Sequence, residues 1–454
     1  MAQQWVRNLR ELGLSDAPSV GGKGGNLGEL IRAGFPVPGG FVVTKEAYLA
    51  AMEGAGVRGQ LAGQALPPAG VTEYELLAIA DDLRTTVSQV AMPDAIAAQI
   101  VAAYDELGAD RRVAVRSSAP AEDAADTSFA GIHDSFTDIE GPAALLEAIN
   151  RCWMSLWSAR AMTYRKVQHV TDEPSVAVVV QLMVDSLSAG VMFTVDPLTG
   201  DPDRIMVEAA LGLGEVVVGG QVEPDTYVVR KAEPRAVLSA HLGAQEFQFV
   251  AGQSADEIPE AIAEADRGGR VLTDSQVLAV AQLGVDAEEH YGVPQDMEFS
   301  FCVPAGGSRA DGELDLYIVQ SRPITTLGPS TGSGSGTGSG SAVGSGGGGG
   351  GELLVTGLGA SPGVASGRVR ILREVSDAGS LNDGDVLVAP MTRPDWLPVL
   401  RRASAIVTDG GGITCHAAIV GRELGKPVVV GARGATGTLV EGALVTVDGS
   451  AGTI

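Results

Sequence analysis

A histidine follows three consecutive glycines at the start of a short apolar segment. Residues 408–431 read TDGGGITCHAAIVGRELGKPVVVG, after an apolar run at residues 405–407 that predicts a buried strand. A loop so poor in side chains lets a ligand approach the backbone closely. The apolar residues after His416 recur at helical spacing until Gly425, and Thr414 is the predicted N-cap. His416 is therefore expected in the first helical turn, where the helix dipole favours a neutral imidazole and an attached anion.

Two interpretations of this histidine remain open from spacing alone. A neutral ring nitrogen beside free backbone N–H groups is what a phosphate-accepting nucleophile requires. A histidine near glycines can equally be a helix cap or an ordinary loop residue.

Basic residues near the N-terminus also stand in glycine- and serine-containing loops. Lys23 lies in SVGGKGGNLGEL, and Arg116 lies in VAVRSSAPAED at the end of an apolar strand. Both patterns suit contacts with phosphate oxygens. The lysine segment lacks Walker A spacing and could be a surface turn. The alternative for Arg116 is a surface ion pair with Glu122 or Asp123.

Three further polar residues lie on apolar strands near residue 300. Glu298 is in QDMEF, whereas Gln320 and Arg322 are in LYIVQSRPIT. Glu298 and Gln320 offer hard oxygen atoms that suit Mg²⁺, and Arg322 offers a planar guanidinium for phosphate. Gln181 lies in the strand-like run VAVVVQLMV at residues 176–184, where ordinary sheet packing is the simpler interpretation.

These stretches together resemble the phosphoenolpyruvate-utilising enzymes, which include phosphoenolpyruvate synthase, pyruvate phosphate dikinase and rifampin phosphotransferase. The phosphohistidine signature of that family, T-x-x-G-G-x-x-[CS]-H-A-A-I, is matched over residues 408–419. The segments around Lys23, Arg116 with the following SFAG that ends at Gly131, Glu298 and Gln320 resemble its nucleotide-binding domain and occur in the family's order.

The resemblance implies an α/β (α+β) fold in which an ATP-grasp-like domain is joined to a small swivelling β/α domain. It implies that ATP and Mg²⁺ are bound and that His416 becomes phosphorylated, with Lys23 and Arg116 also catalytic. The implied nucleotide contacts are Lys23, Arg116, Gly131, Gln181 and Arg322. The implied metal ligands are Glu298 and Gln320.

A segment rich in glycine and serine divides the chain. Residues 328–351 contain 13 glycines and 6 serines among 24 positions, a composition that cannot bury a core and predicts a flexible coil. We therefore expect an ATP-binding domain at residues 1–327, a linker at 328–351 and a phosphohistidine domain at 352–454. The linker is either an inert spacer or a tether that lets the histidine visit two places.

Composition narrows the classes of partner. The formal net charge is −25, which disfavours nucleic acid and anionic membranes as partners. The cysteines Cys152, Cys302 and Cys415 are far apart and fit no disulfide or zinc pattern. The N-terminal segment lacks a signal-peptide core, and no apolar run reaches the ~18 residues of a membrane span. We therefore expect a cytoplasmic protein.

The resemblance implies a dikinase-type phosphotransferase reaction, in which His416 attacks the β-phosphorus of ATP and AMP and phosphate are released. Only 454 − 416 = 38 residues follow His416, too few for the family's pyruvate-binding barrel of ~200 residues. Three hypotheses follow: a phosphocarrier that needs an acceptor, pyruvate or another small molecule, on a separate subunit; a self-sufficient small-molecule kinase; or a nucleotide-binding regulatory relative.

Overall fold

The structure is a computed structural model that describes most of the chain. The described residues are 3–67, 70–108, 111–119, 135–167, 170, 172–214, 217, 222–243, 245, 247–248, 260–262, 268–304, 314–324, 352–393 and 396–454. Gly131, the acidic alternatives Glu122 and Asp123, and the glycine-rich linker lie outside these ranges.

The first unit is built on a five-stranded sheet in the order β1-β2-β5-β3-β4. Its strands are β1 Val6–Asn8, β2 Gly40–Val43, β3 Val113–Ser118, β4 Ser135–Ile139 and β5 Ala177–Leu182. Its helices are α1 Ala17–Arg32, α2 Lys45–Gly54, α3 Arg58–Ala62, α4 Glu73–Ser88, α5 Asp94–Glu106, α6 Pro142–Ser155 and α7 Ala159–Val167, with 3₁₀ turns at Leu9–Glu11 and Leu14–Asp16. Apolar residues of these helices bury one face of the sheet around Trp153 and Trp157.

The second unit is a six-stranded sheet in the order β13-β12-β6-β7-β8-β9. Its strands are β6 Ser186–Phe193, β7 Arg204–Leu211, β8 Asp225–Arg230, β9 Ala236–His241, β12 Gln295–Cys302 and β13 Asp315–Pro323, and β10 Phe247–Gln248 pairs separately with β11 Glu260–Ala261. Alternate residues such as Met192 and Val207 pack against α8, Asp274–Tyr291. The opposite face of the sheet presents Val191, Phe193 and Met206.

The third unit holds the histidine and has a six-stranded sheet in the order β14-β18-β17-β16-β15-β19. Its strands are β14 Leu358–Ser361, β15 Val364–Ile371, β16 Val386–Ala389, β17 Ala405–Thr408, β18 Val428–Val430 and β19 Leu444–Asp448. Its helices are α9 Leu397–Arg402, α10 His416–Glu423 and α11 Ala435–Thr438, with a 3₁₀ helix at Val375–Ser380. Strands β15 to β18 are mutually parallel in the order 15-16-17-18, and the flanking β14 and β19 are antiparallel.

The third unit packs directly on the second. One continuous apolar cluster contains Val191, Phe193 and Met206 from the second sheet together with Ile413 and Trp396 from the histidine-bearing unit. Burial of these apolar side chains removes their surface from water, and this stabilises the docked arrangement as it stabilises the core of a single domain. The mixed α/β fold expected from the sequence is confirmed. Among the described residues, no helix combines the length and the apolar character needed to cross a bilayer.

Candidate functional site

One row of the second sheet collects the predicted metal ligands on a single face. Gln320 pairs with Glu298, Glu298 pairs with Val191, and Val191 pairs with Glu208 in successive antiparallel strands. Residues directly opposite each other in a sheet point to the same face. This face is the one that packs on the histidine-bearing unit, because Val191 belongs to the apolar cluster between them.

Arg322 lies on the same face, one row along. It pairs with Asp296 across β12 and β13, and its Nε donates to Asp296 Oδ2 at 2.7 Å. The Nη2 of Arg322 lies 2.7 Å from the same carboxylate oxygen. These two adjacent rows therefore present an amide, three carboxylates and a guanidinium, from Gln320, Glu298, Glu208, Asp296 and Arg322.

Arg116 connects the first unit to this face. Its Nη1 donates to the Val319 carbonyl at 3.3 Å, and its Nη2 lies 3.9 Å from Glu298 Oε2. The predicted residues Arg116, Glu298 and Gln320 are thus brought together although they come from distant parts of the chain.

A close approach between α1 and β3 holds the segment around Lys23 against the end of the strand that carries Arg116. Helix α1 is interrupted at Gly21, whose φ of +74° is left-handed. A Cβ at Gly21 would lie 2.2 Å from the Ser118 carbonyl oxygen, so only glycine fits there. The Ser118 hydroxyl donates to Val20 O at 2.9 Å and accepts from Gly24 N at 3.2 Å. These contacts hold the segment of α1 around Lys23 against Ser118, which is two residues beyond Arg116 on β3.

Gln181 is buried in the middle of the first sheet, between Gly40 and Ala114. No acceptor lies within hydrogen-bonding distance of its Nε2 among the described residues. A buried donor without a partner is costly, and an acceptor on a bound ligand would remove that cost. This orphaned side-chain amide is a further donor beside the backbone near Gln181, which the family resemblance implies contacts the adenine.

His416 is the first residue of α10, which follows the loop at the carboxyl end of β17. The structure corrects one detail of the sequence prediction, since the N-cap is Cys415 and makes no side-chain cap hydrogen bond. Thr414, the predicted cap, instead donates its hydroxyl to Glu208 of the second sheet. Thr414 bonds to Glu208 rather than to the helix backbone because that buried carboxylate requires hydrogen-bond donors.

The imidazole of His416 is held in its neutral form. Its partial burial and, secondarily, the nearby positive charge of Arg160 lower its pKa to about 4. The sequence prediction of a neutral ring is met, although burial rather than the helix dipole is the leading cause. The Thr392 hydroxyl lies 3.1 Å from His416 Nδ1, which leaves Nε2 as the other available nitrogen.

Glu208 is the principal polar contact between the second unit and the histidine loop. It is fully buried, accepts from Ile413 N at 2.8 Å and from the Thr414 hydroxyl, and receives the Thr226 hydroxyl at 3.3 Å. Burial raises its pKa, and the Thr414 and Ile413 hydrogen bonds oppose that rise. A Cβ at Gly412 would lie 2.5 Å from Glu208 Oε1, so the third glycine of the loop makes this approach sterically feasible.

Glu208 places the histidine loop close to the predicted metal ligands. It stands two strands from Glu298 in the same row, a backbone separation of roughly 10 Å at the usual strand spacing. Side chains from both positions can bridge much of that gap. The docked histidine helix therefore lies over the face that carries Glu298, Gln320 and Arg322.

A magnesium ion fits the donor set at Glu298 and Gln320. Mg²⁺ prefers oxygen ligands and usually takes one or two protein groups together with water and phosphate oxygens. Among the described residues no cluster of three or more His, Cys, Asp or Glu side chains could hold an ion by itself. The paired carboxylate and amide oxygens therefore suit an ion that is bound jointly with a phosphorylated ligand.

Sequence reasoning missed Glu208, Thr392 and Arg160. Glu208 sits in a strand that otherwise reads as apolar, RIMVEAAL, and two signals were available: an acid in such a strand, and the stretch EAALGLGE that begins there and resembles the family's sequence. Thr392 and Arg160 carry no such signal, since each acts through a contact with a residue distant in sequence.

Comparison with known proteins gives consistent matches. Residues 17–335 match the family described as "Pyruvate phosphate dikinase, AMP/ATP-binding domain", and residues 381–452 match "PEP-utilising enzyme, mobile domain". The chain is 42% identical over 458 residues to a probable phosphoenolpyruvate synthase of Methanothermobacter thermautotrophicus, covering 99% of this chain and 63% of that protein. It is 38% identical over 500 residues to the phosphoenolpyruvate synthase of Pyrococcus furiosus, covering 100% of this chain and 59% of that protein. It is also 38% identical over 469 residues to the phosphoenolpyruvate synthase of Neisseria meningitidis, covering 98% of this chain and 56% of that protein. The chain thus spans less than two thirds of the length of these relatives.

Proposed function

The chain belongs to the phosphoenolpyruvate-utilising enzymes that carry a pyruvate phosphate dikinase-type AMP/ATP-binding domain, and from this we propose that it transfers the β-phosphoryl group of ATP to His416. The observation that carries the proposal is the docking of the His416 loop, through Glu208, on the sheet face that presents Glu298, Gln320 and Arg322. The domain bounds 1–327, 328–351 and 352–454 belong to this proposal, supported by the separate sheet of the histidine-bearing unit.

The predicted side chains divide the work of binding the nucleotide. Gln181 offers its unpartnered amide to the adenine, and Lys23, Arg116 and Arg322 neutralise the phosphate oxygens. Gly131 is retained as a backbone contact from the family resemblance. Bound Mg²⁺, held by Glu298 and Gln320, would supply charge neutralisation to the triphosphate.

The transfer step can be written so that its atoms and electrons balance. The Nε2 lone pair of His416 forms a bond to the β-phosphorus of ATP. The bond from that phosphorus to the oxygen that bridges it to the α-phosphate breaks, and AMP leaves with the electron pair. The γ-phosphorus then takes an oxygen from water and its bond to the β–γ bridging oxygen breaks, which releases phosphate; when an added phosphate is the acceptor instead, the product is pyrophosphate. A phosphohistidine remains.

Thr392 sets which ring nitrogen is the nucleophile. If its hydroxyl accepts the Nδ1–H of His416, Nε2 carries the free lone pair. Attack leaves positive charge on the ring, and the Nδ1–H···O contact stabilises that charge as it develops. Thr392 belongs to the same unit as His416, so the contact is retained when that unit moves.

Replacing Thr392 with valine should slow phosphorylation of His416 by roughly tenfold, because the tautomer is no longer held. Serine at the same position should retain most of the rate, since it keeps the hydroxyl. Single-turnover labelling with MgATP measures the rate, and ¹⁵N chemical shifts of the His416 ring report the tautomer. Equal rates for the valine and serine variants would contradict the role given to the hydroxyl.

The rate of phosphorylation should change little between pH 7 and 5.5. The pKa of His416 is lowered to about 4, so the ring stays neutral and nucleophilic throughout that range. A histidine of ordinary pKa would be about 90% protonated at pH 5.5. The profile is measured by single-turnover AMP formation in buffers of constant ionic strength. A tenfold fall between these pH values would mean that His416 titrates as an exposed histidine.

The proposed reaction also requires a molecule that accepts the phosphoryl group from His416. Pyruvate or another small molecule, on this chain or on a partner subunit, would take the phosphoryl group when the histidine-bearing unit leaves the ATP site. The retained set of charged residues around Glu298 disfavours a purely regulatory role, since a chain without catalysis has no need to hold His416 neutral at that site.

The proposal is tested by mixing the purified protein with MgATP alone and identifying the products. We expect AMP, phosphate and an acid-labile phosphoryl group on the protein in equal amounts. ADP as the sole nucleotide product would exclude the dikinase mechanism and would favour direct transfer of the γ-phosphoryl group. Bound ATP without turnover would favour the regulatory hypothesis.

A further inference from the structure

A second polar contact joins the second unit to the histidine-bearing unit through a different pair of side chains from the Glu208 contact. Arg433, in the loop after β18, donates from Nε to Glu223 Oε2 at 2.7 Å, and its Nη2 lies 2.6 Å from the same oxygen. Glu223 precedes β8 in the second unit, and its side chain is only 8% exposed. On the other side of the carboxylate, His241 Nε2 lies 3.4 Å from Glu223 Oε1.

The two contacts engage adjacent loops of the histidine-bearing unit. Strands β17 and β18 are parallel neighbours, so the loops at their carboxyl ends lie side by side. The Gly431 N–H lies 3.4 Å from the Gly410 carbonyl oxygen, which joins the two loops directly. A Cβ at Gly431 would lie 3.7 Å from Glu223 Cδ, an ordinary van der Waals distance, so the second loop contacts its carboxylate less closely than Gly412 contacts Glu208.

A second point of attachment determines orientation. The apolar cluster and the Glu208 contact hold the unit on the sheet, and the Glu223–Arg433 pair adds a directional contact on the neighbouring loop. His416 follows Thr414, which contacts Glu208, by only two residues, so a small rotation of the unit reaches the histidine. Rotation would change the direction of the Nε2 lone pair more than its position. In-line attack on phosphorus depends on that direction.

We propose that Glu223 and Arg433 are positioning residues that fix the rotation of the histidine-bearing unit on the second unit. This inference rests on the proposed function, because it assigns the contact to the ATP half-reaction. The ion pair forms only in the docked arrangement. In the undocked arrangement both side chains are hydrated, and the pair places no constraint on the histidine.

Variants that reverse the charge of Glu223 or Arg433 test the interaction between these two side chains specifically. The Glu223 side chain is 8% exposed and that of Arg433 is 59% exposed, so replacing Arg433 with an acid places a partly hydrated carboxylate against a buried one. Replacing Glu223 with arginine does the same with two guanidinium groups. Exchanging both residues restores an ion pair of reversed polarity, and recovery in the double variant isolates the pairwise interaction from unrelated damage.

The experiment compares Arg433→Glu, Glu223→Arg and the double exchange with the parent protein. Spin labels on cysteines introduced at the exposed positions Glu289, in α8 of the second unit, and Glu374 of the histidine-bearing unit report the distance between those two units, and the three native cysteines are buried. Arg373→Glu, at an exposed arginine of the same unit, controls for the change in net charge. Single-turnover AMP formation and ATP affinity are measured on the same proteins.

Each single reversal should broaden the distance distribution and lower the rate of AMP formation about tenfold, with ATP affinity unchanged. The double exchange should recover most of both, and Arg373→Glu should match the parent. Single variants that match the parent, or a double exchange that recovers nothing, would overturn the proposal. If the parent protein forms no AMP, the proposed function fails, whereas the distance measurement still decides whether this pair orients the unit.

Discussion

Replacing His416 with asparagine should abolish both AMP formation and acid-labile labelling of the protein, a fall of at least about a thousandfold. Asparagine fills a similar volume at the start of α10 and offers no nucleophilic ring nitrogen. The Glu208 contacts come from Ile413 and Thr414, so docking should persist in this variant. ATP affinity should therefore stay close to that of the parent protein, as measured by calorimetry.

The matched control is His290→Asn. His290 lies in α8, where Nε2 is 3.1 Å from Glu29, on the opposite face of the second sheet from the docked unit. This variant should label and turn over like the parent. Undiminished AMP formation by His416→Asn would show that a different residue receives the phosphoryl group.

The positions of Glu298 and Gln320 on their strands illustrate how much of the site could be predicted from the sequence. The two residues lie on apolar strands with polar side chains at alternating positions, a pattern of period two that fixes which side chains share a face. The structure places them opposite each other in register, and places Arg322 and Asp296 in the next row. Local pattern was sufficient for the face within each strand, and the assignment as metal ligands came from the family resemblance. The register between the strands, which shifts between Glu298 and Phe299, is given by the structure.

The interface shows what sequence could not predict. Glu208 and Thr414 are separated by 206 residues, and nothing near either one indicates the other. The sequence assigned Thr414 to the helix cap because capping is the commonest local use of a threonine at that position. A buried tertiary acceptor, the Glu208 carboxylate, outweighed that local preference, and Cys415 became the cap.

The electrostatics of His416 were predicted in outcome but not in cause. A helix N-terminus does favour a neutral imidazole, yet the largest effect on its pKa is burial, followed by the charge of Arg160 in α7. Arg160 is distant in sequence from the histidine, so its effect depends on tertiary structure that the sequence did not reveal. The histidine is thereby neutral where the proposed chemistry requires a nucleophile.

Replacing Glu208 with alanine should lower the rate of AMP formation by about a hundredfold while leaving ATP affinity within about twofold of the parent. The variant leaves the Ile413 N–H and the Thr414 hydroxyl without their acceptor at a buried interface, so the docked arrangement loses stability. Nucleotide binding is spared because Glu208 stands two strands from Glu298 and makes its contacts with the histidine loop.

Two further variants separate docking from binding of the nucleotide. Glu208→Gln keeps an oxygen that can accept from Ile413, so it should lose much less activity than Glu208→Ala. Glu298→Gln removes a predicted metal ligand and should weaken binding of MgATP as well as slow the transfer. An alanine variant that lost ATP affinity in proportion to its rate would place Glu208 in the nucleotide site. Loss of rate alone means that docking limits the transfer, because the nucleophile and the nucleotide are held by separate units that must meet.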